Sequence, residues 1–449
     1  MRSLLVLILI ACGFAGSLVS RHLALLQYVW FTLFRPLEWM WWYLGPYHLS
    51  LVSGLLLLVP SLLSGILPNV THPLSIISWL FLVVTVVAHQ TSYLTADWDF
   101  VDQFARLILV STLSVTILDS RQRISQFFAV MAGSFAFFSA KAGLVALAGG
   151  GISFAAGQSG AFVDNNAYAL AINMSIPFMA SAGATLVAEL PGLKFIRLGF
   201  LAAIPLSVLT VIGTNSRGGL LALAVLAVIL ALLQRRPILW TLGLGLAAVL
   251  TYNFAPMPEG YLERVETIGT YRDVGEGSAL SRLHFWRIAL KMAAANPLGV
   301  GVRRYDDAYD DYDDSGGLWG SHRSVHSSHL QVLAETGYAG FFLWLAAFAY
   351  AIGTGLRIRF AAARLEGLAD EERRYYVSTA TAAVASMCAF IVGGAFLAAA
   401  FNELTWLTFA GLAAFQREFR SRTAALASAH AKAKLATPVM PAPRRKAIA

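Results

Sequence analysis

Apolar stretches long enough to cross a bilayer follow one another from residue 3 to residue 416, and a single long polar excursion interrupts them. In hydrocarbon a backbone must satisfy its own hydrogen bonds, which confines such a chain to a bundle of helices. A crossing takes ~17–25 apolar residues. Such stretches fall near 3–20, 22–44, 48–67, 73–91, 103–119, 124–149, 165–189, 195–214, 217–234, 237–255, 329–356, 376–397 and 400–416. The expectation is an all-α polytopic membrane protein with about 12–13 crossings. Only 13% of the 449 residues are charged and the mean hydropathy is +0.65. A soluble domain carries nearer a quarter charged residues.

The chain divides into N-terminal membrane helices (1–97), central membrane helices (98–255), the polar loop (256–328), C-terminal membrane helices (329–416) and a basic tail (417–449), the last expected to be disordered. Within 22–44, Arg35-Pro36 interrupts an aromatic stretch. Trp30, Trp39, Trp41, Trp42, Tyr43 and Tyr47 resemble an interfacial belt, on a kinked helix or one lying in the interface.

Orientation follows from the basic residues of the short loops. Arg121 and Arg123, Lys194 and Arg197, Arg235 and Arg236, Arg357 to Arg374, and the tail alternate correctly to share one side. Acidic residues such as Asp97, Asp99, Asp102, Asp164 and Glu403 mark the other side. The positive-inside rule puts the basic set in the cytoplasm and the loop in a periplasm-like space. Basic residues scattered between apolar spans, with no aromatic-basic patch, argue against nucleic acid as a partner.

Cys12 and Cys388 lie in apolar runs, which excludes a disulfide framework and a thiolate metal site. Leu9-Ile10-Ala11-Cys12 resembles a lipoprotein cleavage box. Apolar spans follow at once, so the reading is a cysteine packed in a first membrane helix.

Polar chemistry gathers at three places on the loop side. Asp164-Asn165-Asn166 opens a helix, where Asp164 or Asn165 can cap free backbone N–H groups and also meet a sugar. Thr214-Asn215-Ser216-Arg217-Gly218-Gly219 sets a guanidinium at another helix start. Backbone donors, the dipole and the arginine fork together suit an anion, and the paired glycines would let it approach closely. A snorkelling interfacial arginine is the bland alternative.

The loop itself carries Arg282 in a helical stretch whose Trp286, Leu290 and Ala293 can line one face. That stretch reads as an amphipathic helix on the membrane surface, stopped by Asn296-Pro297-Leu298-Gly299. His326, just before the return span, suits a general base near neutral pH. His329 follows three residues later, but no carboxylate spacing accompanies the pair, so no metal is expected.

The acidic run from Asp306 to Asp314 lacks the glycine and terminal glutamate of an EF-hand and reads as a solvated, mobile loop, with weak calcium binding or gating as the alternative. Lys141 is the clearest charge inside a span, a functional candidate or a snorkelling side chain. The turn at 149–160 holds two glycine clusters, but outside mid-span. No internal repeat or broken helix of the kind found in transporters is evident.

Ser216-Arg217-Gly218, Arg282 with Trp286, Asn296-Pro297-Leu298-Gly299-Val300-Gly301, and His326-Ser327 with Leu330-Gln331-Val332-Leu333-Ala334-Glu335-Thr336-Gly337 resemble the O-antigen ligase/polymerase superfamily of bacterial inner-membrane enzymes. Asp164-Asn165-Asn166 followed by Ala169-Leu170-Ala171 and Pro177, with Lys141 ahead, is similar to the O-glycosylation ligase branch associated with exosortase systems. The likeness is weak over 1–97 and good from Trp98 to Leu345.

It implies a GT-C-type bundle and an inverting glycosyltransferase without metal or other cofactor. The implied donor is a glycan on undecaprenyl pyrophosphate, and the acceptor a glycan, lipid or protein. Arg217 and Arg282, with Lys141, would then hold the pyrophosphate, and His326 would act on the acceptor hydroxyl. Asp164, Asn165, Asn166, Arg303, His329 and Glu403 become candidate glycan or acceptor contacts. The Asp306–Asp314 insertion and the Trp-rich N-terminus depart from the family pattern. The alternatives are a polysaccharide polymerase of the same chemistry, a membrane transporter, and a non-catalytic assembly partner whose loop docks another protein.

Overall fold

The computed structural model describes residues 1–41, 47–94, 97–148, 164–189, 194–234, 236–254 and 277–436. Trp42 and Tyr43 of the expected belt, the glycine-rich turn at 149–160, the first part of the loop (256–276) and the tail beyond residue 436 lie outside the described residues.

Every regular element among the described residues is helical. Ten helices precede the loop: α1 (Arg2–Val19), α2 (Arg21–Phe34), α3 (Leu49–Leu63), α4 (Pro73–Gln90), α5 (Asp99–Ile117), α6 (Arg121–Ala148), α7 (Asn165–Glu189), α8 (Lys194–Gly213), α9 (Arg217–Leu232) and α10 (Pro237–Phe254). The loop contributes α11 (Gly277–Ala295) and α12 (Tyr305–Tyr312). Then come α13 (Ser328–Arg364), α14 (Asp370–Gly393) and α15 (Glu403–Ala436).

Eight helices among the described residues are long and apolar enough to cross a membrane, and three shorter apolar ones accompany them at Leu49–Leu63, Arg217–Leu232 and Pro237–Leu246. The chain is a multi-pass membrane protein. The span expected at 22–44 is not a continuous crossing. α2 ends after 14 residues, about 21 Å of rise, because Arg35 turns left-handed (φ 53°) and Pro36 starts a short 3-10 turn. Arg2 from α1 lies over Trp41 at 4.5 Å and Trp39 at 5.6 Å, so the aromatic segment closes on the start of the chain.

α7 is the central helix: 89% of its apolar window is buried, against 22% for α1. It packs against α6, α8, α9 and α14. Small and hydroxyl side chains let these helices approach, as where Ser181 meets Ser378 and Thr379 of α14 at 3.3 and 3.2 Å. Two residues of the basic set, Arg121 and Arg422, gather on the acidic start of α14. Arg121 approaches Glu371 at 3.5 Å, and Arg422 binds Glu372 through two bonds of 2.8 and 2.9 Å. The tail expected to be disordered is helical as far as Ala436. α15 runs 34 residues, or about 51 Å, well beyond a bilayer core of about 30 Å.

The described part of the loop is a folded unit with its own core. Phe285, Ile288, Met292, Val300, Tyr305, Tyr309 and Val325 close on one another there. The face of α11 buried in this core is therefore Phe285, Ile288, Ala289, Met292 and Ala293, while Leu290, expected on a face turned to the membrane surface, is 53% exposed. The acidic run is not a mobile loop. Tyr305 and Tyr309, one turn apart, face inward and turn its first part into α12, which leaves the aspartates outside.

The Asn296-to-Gly301 segment pairs with the start of α13: Val300 N–H donates to Ala334 O at 2.9 Å, Gly301 N–H to Glu335 O at 3.1 Å, and Tyr338 N–H to Pro297 O at 3.1 Å. α13 breaks there, at Gly337 (φ 66°, ψ −168°). A broken helix is thus present where none was expected. Its break faces the loop segment, unlike the gap a transporter places at mid-membrane.

Candidate active site

Two helix starts and the loop unit meet on one face. Asp164 caps α7, its Oδ1 accepting from Asn166 N–H at 2.9 Å and Ala167 N–H at 3.0 Å. Ser216 caps α9, its Oγ accepting from Gly219 N–H at 2.9 Å. The two caps are braced together. Asn165 Nδ2 donates to Thr214 O at 2.9 Å, and Ser216 Oγ donates to Asn166 Oδ1 at 2.6 Å. Asn165 and Asn166 thus position the Arg217 turn, where Asn215 takes a left-handed backbone (φ 54°).

The paired glycines do not leave backbone open to an anion. A β-carbon on Gly218 would meet Phe396, and one on Gly219 would meet Ala169. Their smallness serves packing at the head of α9. Phe396 ends the 3-10 turn Gly394–Phe396 after α14, and its ring lies 6.3 Å from that of Trp286 on α11. On the neighbouring side of α11, Phe285 lies 6.1 Å from the ring of His326. The aromatic chain Phe396, Trp286, Phe285 therefore joins the Arg217 turn to His326 through the helix that carries Arg282.

The charges confirm that neighbourhood. Burial and then the charge of Arg217 pull the pKa of Arg282 below its ordinary value, and Asp164 opposes them. Burial likewise lowers the pKa of His326; Arg282 and Arg323 add to the effect and Asp164 opposes it. Neither Arg282 nor His326 makes a hydrogen bond or an ion pair among the described residues, and His326 holds a left-handed backbone (φ 46°). Strained, uncommitted polar side chains of this kind cluster at functional sites.

Four expected residues stand apart. Lys141 is exposed on α6 beside exposed Phe137, Leu144 and Val145, the surface a snorkelling lysine occupies. His329 spends both ring nitrogens: Nε2–H donates to Ile391 O at 2.8 Å, and Nδ1 accepts from Trp344 Nε1–H at 3.1 Å. Glu403 faces Arg35 at 4.0 Å. Arg303 lies over Phe100 at 4.7 Å, beside α5.

His284, Asp313 and Asp314 place ligand atoms within 4.8 Å of one another. Their chemistry does not favour a metal. Asp314 already meets Arg287 and Lys291, each at 2.6 Å. Asp313 accepts from His284 Nε2 at 2.8 Å and from Ser315 and Gly317. Sequence reasoning passed over Phe396 and Phe285. Two glycines just before Phe396 were the available signal, and they resemble any other small-residue packing.

Residues 201–345 match a family model described as O-antigen ligase, and that stretch holds Arg217, Arg282 and His326. Residues 1–187 match a family of unknown function (DUF5935). No curated protein matches the chain.

Proposed function

We propose that this chain, set by its O-antigen ligase domain in the O-antigen ligase/polymerase superfamily, moves a glycan from undecaprenyl pyrophosphate to an acceptor hydroxyl. The reaction takes place on the periplasmic face of a bacterial inner membrane. One observation carries the reading: Arg217, Arg282, Asp164 and His326 share one electrostatic neighbourhood although they come from three separate segments.

The acceptor oxygen attacks the anomeric carbon as the bond from that carbon to the phosphate oxygen breaks, with inversion. His326 takes the acceptor proton, and its lowered pKa keeps it a neutral base at pH 7. Arg217 and Arg282 stabilise the charge that grows on the leaving pyrophosphate. Asp164 keeps two nearby guanidiniums tolerable before the headgroup arrives. No step calls on a metal.

Alanine at Arg217, Arg282 or His326, with expression held level, is expected to lower glycan transfer at least 100-fold or so, as for lost transition-state donors. Transfer surviving Arg217→Ala and His326→Ala would remove this mechanism. Polymerase and ligase differ in acceptor alone. Loss of long glycan on the carrier after gene deletion marks a polymerase, and its accumulation marks a ligase, the branch that the Asp164-Asn165-Asn166 pattern favours.

A further inference from the structure

We infer that the indole N–H of Trp286 is a third donor to the pyrophosphate, a role that rests on reading Arg217 and Arg282 as its binders. Tryptophan can only donate. Nε1 of Trp286 is buried and finds no acceptor among the described residues. Buried donors are rarely left so, because the lost hydration is costly. Other indoles are satisfied: Trp344 donates to His329 at 3.1 Å, Trp406 to Ala400 O at 3.0 Å and Trp79 to Asn69 O at 3.3 Å. Trp39 shares the lack, but it packs under Arg2 and against Phe34 and Phe137 rather than against α11.

Position decides what the missing acceptor is. Trp286 follows Arg282 by one helical turn, so the two project from one side of α11. Its ring lies against Phe396, which covers Gly218 beside Arg217. The donor is therefore carried one turn from Arg282, on a ring that lies against the phenylalanine covering the glycine after Arg217. A phosphate oxygen there would complete a charge-assisted bond. Nε1 is enclosed, so the proposal requires Phe396 to move aside for the headgroup.

The test uses the full chain in lipid nanodiscs, labelled with ¹⁵N-indole tryptophan, with farnesyl pyrophosphate as the probe. Trp286→Phe assigns the Trp286 signal and keeps a ring against Phe396. Benzothienylalanine at position 286 is the second variant, retaining the indole outline without the N–H. On addition of the probe the Trp286 Nε1–H signal is expected to move downfield, and both variants to bind the probe about 10-fold more weakly. An unmoved signal with unchanged affinity in both variants overturns the inference, provided Arg217→Ala and Arg282→Ala do weaken binding. If those two also bind normally, the reading of the anion site falls, and the third donor with it.

Discussion

Phe396 lies directly over Gly218: a β-carbon added to Gly218 would come within 2.8 Å of the Phe396 Cβ. That approach seats the head of α9 beneath the turn that touches Trp286, and so fixes the distance from Arg217 to the helix bearing Arg282. Gly218→Ala is expected to push this turn outward at a cost of about 1–3 kcal/mol, the usual price of overpacking. Protein should still reach the membrane, with transfer reduced at least as strongly as stability. Phe396→Ala in the same background removes the ring contacts at 3.1 Å but keeps the Cβ, and should recover expression only in part. Thermal unfolding in detergent, measured beside glycan transfer, separates the two effects.

The acid limb of the pH profile follows from His326. A base works only when deprotonated, and burial with Arg282 and Arg323 sets the His326 pKa below 6.5. Transfer should therefore fall less between pH 7 and pH 6 than it would with a base at the ordinary histidine value of 6.5. Asp164→Asn keeps a capping side chain but removes the charge that raises the His326 pKa, so the limb should move to still lower pH. Arg282→Gln removes a charge that lowers it, so the limb of the residual activity should move up. kcat/KM against pH reads both shifts. A limb unmoved by either change would take His326 out of the base role.

Asp313 locks the loop unit. Burial opposes its charge, but bonds from Ser315, Gly317 and His284 prevail and hold its pKa down at about 2. The contribution is present above the ordinary carboxylate value of 3.8 and is lost as pH falls through that window toward 2. Asp313→Ala leaves Nε2 of buried His284 without its partner and is expected to destabilise the unit by about 1–3 kcal/mol. Faster amide exchange across Tyr305–Tyr312 would report it. Chelator is expected to leave transfer unchanged, because Arg287 and Lys291 already engage Asp314. Activity restored only by an added divalent ion would refute that.

What the sequence made legible was set by short-range rules. Hydropathy gave the helical bundle, and the caps at Asp164 and Ser216 follow from local chemistry. Arg217, Arg282 and His326 could be nominated from motif order, although nothing local fixes their approach. The misreadings have long-range causes. Tyr305 and Tyr309 turn an acidic run into a helix only because α11 offers them a core. His329 looked like half of a pair until Ile391, 62 positions away, took its Nε2–H.

Gly337 offers the sharpest test of how the return helix joins the loop. Its backbone (φ 66°, ψ −168°) lies where side chains other than glycine's are strained, by about 1–3 kcal/mol. A β-carbon there would also collide with the Pro297 carbonyl and the Leu298–Gly299 peptide. Both penalties act on the same segment, whose bonds from Val300 and Gly301 to Ala334 and Glu335 hold the loop unit on α13. Gly337→Ala is therefore expected to disturb the loop before the bundle: proteolysis in the loop should rise while the membrane helices stay folded by circular dichroism. Gly353, further along the same helix with open space where a β-carbon would go, is the control for a Gly→Ala change away from the break. If Gly337→Ala matches wild type in loop proteolysis and in transfer, the break at Gly337 does not set the loop's position.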